Sequence, residues 1–259
     1  MKLSFVIPTR NQAQFIAQCI DGCLAQQIAE AEVLVIDGAS TDRTREVLAS
    51  YGDRIRWISE PDRGQSDAIN KGVRMASGEL VAWINSDDYY AGPGVIQRLV
   101  DAFETEPRLD IAYGDGERVD VAGHRLGPYR AREITRVAEI VTHPASFVLQ
   151  PSLMFRRELF LEVGGLDATL HYTMDYELWI RMFAAARATR YLPEVIARAR
   201  YHSDAKSIAA MGKQIREAYA VKRRNARGLG PVDQIKMYAG VASLGAYWLA
   251  VRLGLKRAS

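Results

Sequence analysis

The first hundred residues switch repeatedly between two hydrophobic periods, and this constrains the fold more than any other feature of the chain. Residues 3–7 form a short apolar run closed by Pro8, the pattern of a buried strand. Phe15, Ile16, Cys19, Ile20, Cys23 and Leu24 then recur at helical spacing. Residues 33–36 give a second strand ending at Asp37, after which Ser40 and Thr41 are expected to cap a helix carrying Val47 and Leu48. Residues 55–58 read as a third strand. Ser66 is expected to cap a helix with Ile69, Val73 and Ala76 on one face. Residues 80–84 form a fourth strand that runs into Asn85-Ser86-Asp87-Asp88. A helical stripe of Val95, Ile96, Leu99, Val100 and Phe103 precedes a fifth strand at 111–113. Such alternation predicts an α/β fold: a mostly parallel sheet flanked by helices, with right-handed crossovers.

In sheets of this kind ligands bind beyond the carboxyl ends of the strands. The residues that follow the strands therefore matter: Thr9-Arg10-Asn11, Asp37-Gly38, Glu60-Pro61-Asp62 and Asn85 to Asp88. Several acidic strand ends at one edge point to a cation or a sugar. Two adjacent carboxylates, Asp87 and Asp88, repel each other and are costly to desolvate. A hard divalent ion relieves both costs, and magnesium typically takes one or two carboxylates with phosphate oxygens and water. The competing reading is a turn or helix cap. Asp37 can accept from a nucleobase N–H. Asp175 opens the run Asp175-Tyr176-Glu177-Leu178-Trp179 and reads either as an acid favoured by the helix dipole or as a general base. His202 closes a strand-like run at 195–201; it is a structural histidine or, if that strand ends beside Asp87-Asp88, a third metal ligand.

Beyond Gly114 the alternation loosens. Val119 and Val121 before Ala122-Gly123 suggest a hairpin, 152–155 and 195–201 strands, and 158–163 and 175–185 helices, the first ended by Gly164-Gly165. From about Ser207 a helical tail carries Lys213, Arg216, Lys222, Arg223, Arg224 and Arg227, then an uncharged stretch at 237–251 followed by Lys256 and Arg257. That stretch is short of the roughly 20 apolar residues of a membrane span. It is expected either to lie on a membrane surface or to pack on the protein's own body or a second copy. The first apolar run is too short for a signal peptide, which places the protein in the cytoplasm. Thirty-four basic residues nearly balance thirty-one acidic ones, so charge gives no reason to expect nucleic acid. Cys19 and Cys23, four apart with no second pair, read as core thiols rather than a zinc site.

These residues, taken in order, resemble the family 2 glycosyltransferases. The resemblance rests on Ser4-Phe5-Val6-Ile7-Pro8-Thr9-Arg10-Asn11, Val35-Ile36-Asp37-Gly38-Ala39-Ser40-Thr41-Asp42, Ala68-Ile69-Asn70-Lys71-Gly72, Ala76-Ser77-Gly78-Glu79, Asn85-Ser86-Asp87-Asp88, Gly164-Gly165-Leu166-Asp167 and the run from Asp175 to Trp179. Residues 60–68 look like the branch found in bacterial O-antigen and exopolysaccharide clusters. The resemblance implies a GT-A fold over 1–206, with a Rossmann-like nucleotide half at 1–115, an acceptor half at 116–206 and a helical tail at 207–259. It implies an inverting transferase that moves a sugar from a nucleotide-sugar, a UDP-sugar in the first place, to a saccharide hydroxyl. A polyprenyl-diphosphate-linked acceptor in surface polysaccharide synthesis follows, at the inner face of the membrane. Pro8, Thr9, Arg10, Asn11, Asp37, Gly64, Asn70 and Asp87 are the implied nucleotide contacts. Asp88, Asp87 and His202 are the implied ligands of Mn²⁺ or Mg²⁺, and Asp175 is the base. Asn85 stands where an acid commonly opens the metal motif, Ile69 where arginine is common, and Met174 where glutamate is common.

Two rivals and an association state stay open. A nucleotidyltransferase needs a glycine-rich basic loop after the first strand, and Pro8 to Phe15 contains no glycine. A dinucleotide fingerprint and a P-loop are both absent. A non-catalytic nucleotide-sugar-binding or scaffolding protein would keep the same motifs. A homo-oligomer is also open.

Overall fold

The structure is a computed structural model that describes residues 1–143, 146–201 and 211–252. The strands are β1 (Leu3–Thr9), β2 (Ala31–Asp37), β3 (Arg56–Ser59), β4 (Leu80–Trp83), β5 (Tyr89–Tyr90), β6 (Ile111–Val119), β7 (Arg125–Tyr129), β8 (Leu153–Arg156) and β9 (Thr189–Arg200). They form one sheet in the order β3-β2-β1-β4-β8-β6-β9-β5, with β7 paired to β6. The expected parallel arrangement holds across β3-β2-β1-β4. Beyond β4 the sheet is mixed. β8 runs antiparallel to both β4 and β6, β9 runs parallel to β6, and the β6–β7 hairpin turns back at Gly123.

The helices are α1 (Ile16–Leu24), α2 (Thr44–Ser50), α3 (Gln65–Met75), α4 (Val95–Thr105), α5 (Val137–Thr142), α6 (Arg157–Glu162), α7 (Met174–Ala185), α8 (Met211–Asn225) and α9 (Pro231–Arg252). Strand side chains alternate between two cores. Leu3, Phe5, Ile7, Leu80 and Ala82 pack with α1, α2 and α4, including the buried thiols Cys19 and Cys23. Val6, Val81 and Trp83 face the other way, onto α3, α5, α6 and α7. Each such apolar side chain contributes about 1.5–3 kcal/mol when fully buried, so a one-residue register slip would exchange the two faces and is strongly excluded.

Two helix starts differ from the sequence expectation. α2 begins at Thr44 rather than after Ser40-Thr41, because Asp42 Oδ1 accepts from the Thr44 N–H at 2.9 Å and from its hydroxyl. α3 begins after Gly64 rather than Ser66; Gly64 sits at φ 114° and its N–H donates to Asp62 Oδ1 at 2.8 Å. That φ favours glycine.

Gly78 precedes β4 and lies against β1. A Cβ there would fall 2.7 Å from the Ser4 nitrogen and 2.8 Å from the Leu3 carbonyl carbon. Backbone cannot yield as a side-chain tip can. Gly78→Ala is therefore expected to cost about 1–3 kcal/mol, read as a lower urea midpoint at unchanged m.

The tail packs on the body. Val221 of α8 and Met237 of α9 join the core beside Ile140 and Val141. Lys222 is 1% exposed; its ammonium donates to the carbonyls of Val141 and His143 at the end of α5 and lies 5.1 Å over the Tyr176 ring. Burial pushes its pKa down to about 8. The other side of α9 shows Val232, Ile235 and Tyr238 to solvent at helical spacing. Among the described residues no helix is long and apolar enough to cross a membrane. Lys256 and Arg257 lie outside the described residues.

Candidate functional site

Four parallel strands end at the same rim, and the register places Thr9, Asp37 and Ser59 side by side. Asp37 is fully buried. Its carboxylate accepts from the Ser40 N–H at 3.1 Å, from the Ser40 hydroxyl, and from the Ser59 hydroxyl at 2.6 Å. Ser40 Oγ in turn accepts from the Asn11 N–H at 2.7 Å, and Asn11 Oδ1 accepts from the Thr41 N–H at 2.8 Å. Asn11 and Ala39 both hold positive φ. One network thus joins the ends of β1, β2 and β3. Asp37 organises this rim through its full set of acceptors, and an incoming nucleobase would have to share them. Pro8 is buried in β1, Arg10 and Asn11 are exposed, and Thr9 Oγ1 is buried without a partner among the described residues. Asp62 lies against Gly38, where a Cβ would fall 2.3 Å from its carboxylate. That contact brings the 60–62 loop over the same rim.

Asn70 stands apart from this rim. Its amide accepts from the Leu166 N–H at 2.8 Å and donates to the Leu166 carbonyl at 2.9 Å. It brackets α3 to the backbone of Leu166, just after the turn at Gly164-Gly165.

The fourth strand end carries the acids. Asn85 Oδ1 accepts from Gln65 Nε2 at 2.8 Å and from Trp83 Nε1 at 3.1 Å. The Asn85 carbonyl accepts from the Asp88 N–H at 3.0 Å and from the Cys19 thiol. Asp88 is 5% exposed, and its Oδ1 accepts from the Arg200 N–H at 3.0 Å. Burial first, and the Asp87 charge second, push the Asp88 carboxyl well above the usual carboxylate range. Two adjacent oxygen donors in that condition suit a hard divalent cation. Among the described residues no third carboxylate, histidine or cysteine joins them, and His202 lies outside the described residues.

Sequence reasoning missed Arg200, the last residue of β9. Its guanidinium donates to the Asp87 carbonyl and to Gln18 Oε1, and its central carbon lies 4.9 Å and 4.7 Å from the ring centres of Phe15 and Tyr89. Side chain and backbone together fix the Asp87-Asp88 loop. The signal available was the strand-like run at 195–201, whose end reaches this loop.

Asp175 sits in the first turn of α7, partly exposed, and its Oδ1 accepts from the Tyr176 N–H at 2.7 Å. Burial raises its pKa, and Glu217 adds to the rise. Glu217 was also missed. From α8 it accepts the N–H groups of His171, Tyr172 and Thr173 at 2.8, 2.6 and 2.7 Å, the residues that lead into α7. Burial opposes its ionisation, but those donors outweigh it and hold the carboxyl below its ordinary value. It is the only acid between positions 207 and 229, which was the available clue.

Two chains of contacts run between Asp88 and Asp175. Asn85, three residues before Asp88, holds Gln65; the next residue, Ser66, donates to Met174 Sδ at 2.8 Å, and Asp175 follows. On the other side Tyr201 feels the Asp88 charge, and Tyr129 feels both Tyr201 and Asp175; burial is the leading cause of the raised pKa of each tyrosine.

Comparison with known proteins gives the family and the fold. The family described as Glycosyl transferase family 2 matches residues 4–164. An uncharacterized glycosyltransferase of Rickettsia conorii is 30% identical over 214 residues, which cover 78% of this chain and 34% of the relative. The chain thus spans about a third of that relative's length. The structure of S. aureus TarS 1-349 in complex with UDP-GlcNAc superposes with a TM-score of 0.70 at 16% identity, covering 99% of this chain and 77% of that 1-349 chain. The mannosyltransferase PcManGT of Pyrobaculum calidifontis, in complex with GDP-Man and Mn²⁺, gives 0.67 at 17% identity, with 100% and 76% covered. The architecture is the GT-A fold.

Proposed function

The chain belongs to glycosyl transferase family 2, and from that premise we propose a metal-dependent, inverting transferase that takes a UDP-sugar and glycosylates a saccharide hydroxyl. The observation that supports this reading is the path of contacts from the Asp87-Asp88 loop to Asp175 through Asn85, Gln65, Ser66 and Met174. The complexes of TarS with UDP-GlcNAc and of PcManGT with GDP-Man and Mn²⁺ support a nucleotide-sugar and a divalent metal.

On this reading residues 1–115 form the nucleotide half and 116–206 the acceptor half. The network from Asn11 to Ser59 shapes the floor for base and ribose. Asp87 and Asp88 would hold Mn²⁺ or Mg²⁺, with Arg200 fixing their loop. The ion, when bound, neutralises charge developing on the leaving diphosphate. Asp175 takes the proton of the acceptor hydroxyl as its oxygen bonds to the anomeric carbon. The bond from that carbon to the diphosphate oxygen breaks on the opposite face, so the anomeric configuration inverts. The outward row of Val232, Ile235 and Tyr238 beside the basic α8 suits a membrane surface that presents a lipid-linked acceptor.

The test is a thermal-shift titration of UDP, GDP and dTDP with and without Mn²⁺. Binding to the folded state adds RT ln(1 + [L]/Kd), about 2.7 kcal/mol at a hundredfold excess over Kd. UDP with Mn²⁺ is expected to give the largest shift. If no nucleoside diphosphate stabilises the protein, the donor reading is wrong.

A further inference from the structure

Arg118 lies on β6, opposite Gly127 on β7 and Ala199 on β9. Its Nε is buried with no hydrogen-bond partner among the described residues. Its guanidinium makes no ion pair among them either. The nearby carboxylates are already engaged: Glu117 with Arg125 at 2.7 Å and Arg198 at 2.9 Å, Asp115 with Arg130 at 2.6 Å, and Asp120 with His124 at 3.0 Å. Glu117, the neighbour in sequence, points to the opposite face of the strand, as alternation requires. The one aromatic contact, 6.0 Å from the Tyr201 ring centre, is at the limit for a cation–π pair and gives Nε no acceptor.

Gly127 has no side chain, and Arg118 Nη2 packs over it, 3.5 Å from where a Cβ would lie. Tyr129 and Tyr201 flank the guanidinium and connect it to both chemical centres. Arg118 offsets part of the burial that raises the pKa of each ring, while Tyr129 feels Asp175 and Tyr201 feels Asp88. A cation whose buried donor is unmatched among the described residues, and which is joined to Asp175 through Tyr129, is suited to receive an oxyanion. On the reading above the donor's diphosphate is held at Asp87-Asp88, which leaves Arg118 for the acceptor.

Resting on the transferase reading above, we propose that Arg118 binds an oxyanion carried by the acceptor, a carboxylate or a phosphate on the sugar, and so selects acidic over neutral acceptors. The fork geometry of guanidinium suits either group through paired N–H donors.

The test uses the full chain and calorimetric titration with glucose, glucuronate and glucose 6-phosphate, each with and without UDP and Mn²⁺. Wild type is expected to bind the two anions at least about tenfold more tightly than glucose. Arg118→Met should erase that preference, Arg118→Lys should keep part of it, and the control Arg125→Met should keep all of it. UDP affinity should be the same in all four proteins. Equal response of wild type to the three sugars overturns the proposal, as does an unchanged preference in Arg118→Met. A loss of UDP affinity in Arg118→Met, with any anion preference intact, would make Arg118 a diphosphate contact instead. Failure of wild type to bind UDP at all refutes the donor reading, a separate outcome that leaves the sugar arms without nucleotide to decide this one.

Discussion

Asp175→Asn is expected to lower transfer by about 10²–10⁴-fold while leaving UDP affinity unchanged. The substitution keeps the shape and the hydrogen bond from the Tyr176 N–H, and removes only the ability to accept the acceptor's proton. The pH dependence follows from the raised pKa of Asp175, caused first by burial. Turnover in wild type requires the ionised carboxylate, so kcat should climb with pH through that raised value and then level off. The sign for stability is the reverse. A folded pKa above the unfolded one means the folded state holds the proton more tightly. The resulting stabilisation is complete below the unfolded value of about 3.9 and is lost as pH rises through the folded pKa. At neutral pH wild type therefore carries the cost of a half-buried charge, and Asp175→Asn does not. The variant should be inactive and more stable, with a stability gap over wild type that opens above about pH 4 and then becomes constant. Single-turnover rates and urea midpoints across pH test both parts. A variant with normal turnover would remove Asp175 as the base.

Asp88→Asn is expected to abolish the effect of Mn²⁺ on UDP affinity, a loss of about 100-fold or more; substitutions outside the direct ligands typically cost 10–100-fold. Asparagine can still accept from the Arg200 N–H, so the loop should keep its shape. It also removes a carboxylate that burial and Asp87 make costly to ionise, so the variant should fold normally. Arg200→Met provides the contrast. It leaves both carboxylates and the backbone bond in place but releases Gln18 and the Asp87 carbonyl. Affinity should then fall by about 10–100-fold while the metal requirement survives. Titration of UDP against each variant at several Mn²⁺ concentrations separates the two. Unchanged metal dependence in Asp88→Asn would rule out the acidic pair as the ion's seat.

The parts of this site that sequence made legible are those carried by local pattern. β1 to β4 announce themselves by apolar runs that stop at polar residues, and a parallel sheet must bring those stops to one rim. Thr9, Asp37 and the Asn85–Asp88 stretch could be placed together on that ground alone. Helix starts were less legible. Ser40, Thr41 and Ser66 are good caps by type, yet Ser40 is drawn into the Asp37 network, and the turn at Asp62-Arg63-Gly64 starts α3 one residue before Ser66. The second half of the sheet resisted for a different reason. The two-residue β5, the short α5 and the antiparallel returns are fixed by contacts across long stretches of chain, and no periodicity records them. Arg200 and Glu217 escaped for the same cause. Each acts through backbone groups at least 40 residues away, at the Asp87 carbonyl and at the N–H groups of His171 to Thr173. Nothing near them in sequence announces that partner.

The three N–H groups gathered by Glu217 tie the rear helices to the reaction more closely than a divided chain would suggest. A protein cut after residue 206 would lose more than an appendage, because the strand of backbone that delivers Asp175 would be left with three donors and no carboxylate to receive them. The same tether works in the other direction. A force acting on α8 would reach the start of α7 through Glu217, Lys222 and Arg224 together, so on the transferase reading the way the molecule is held and the way it reacts would be one mechanical variable.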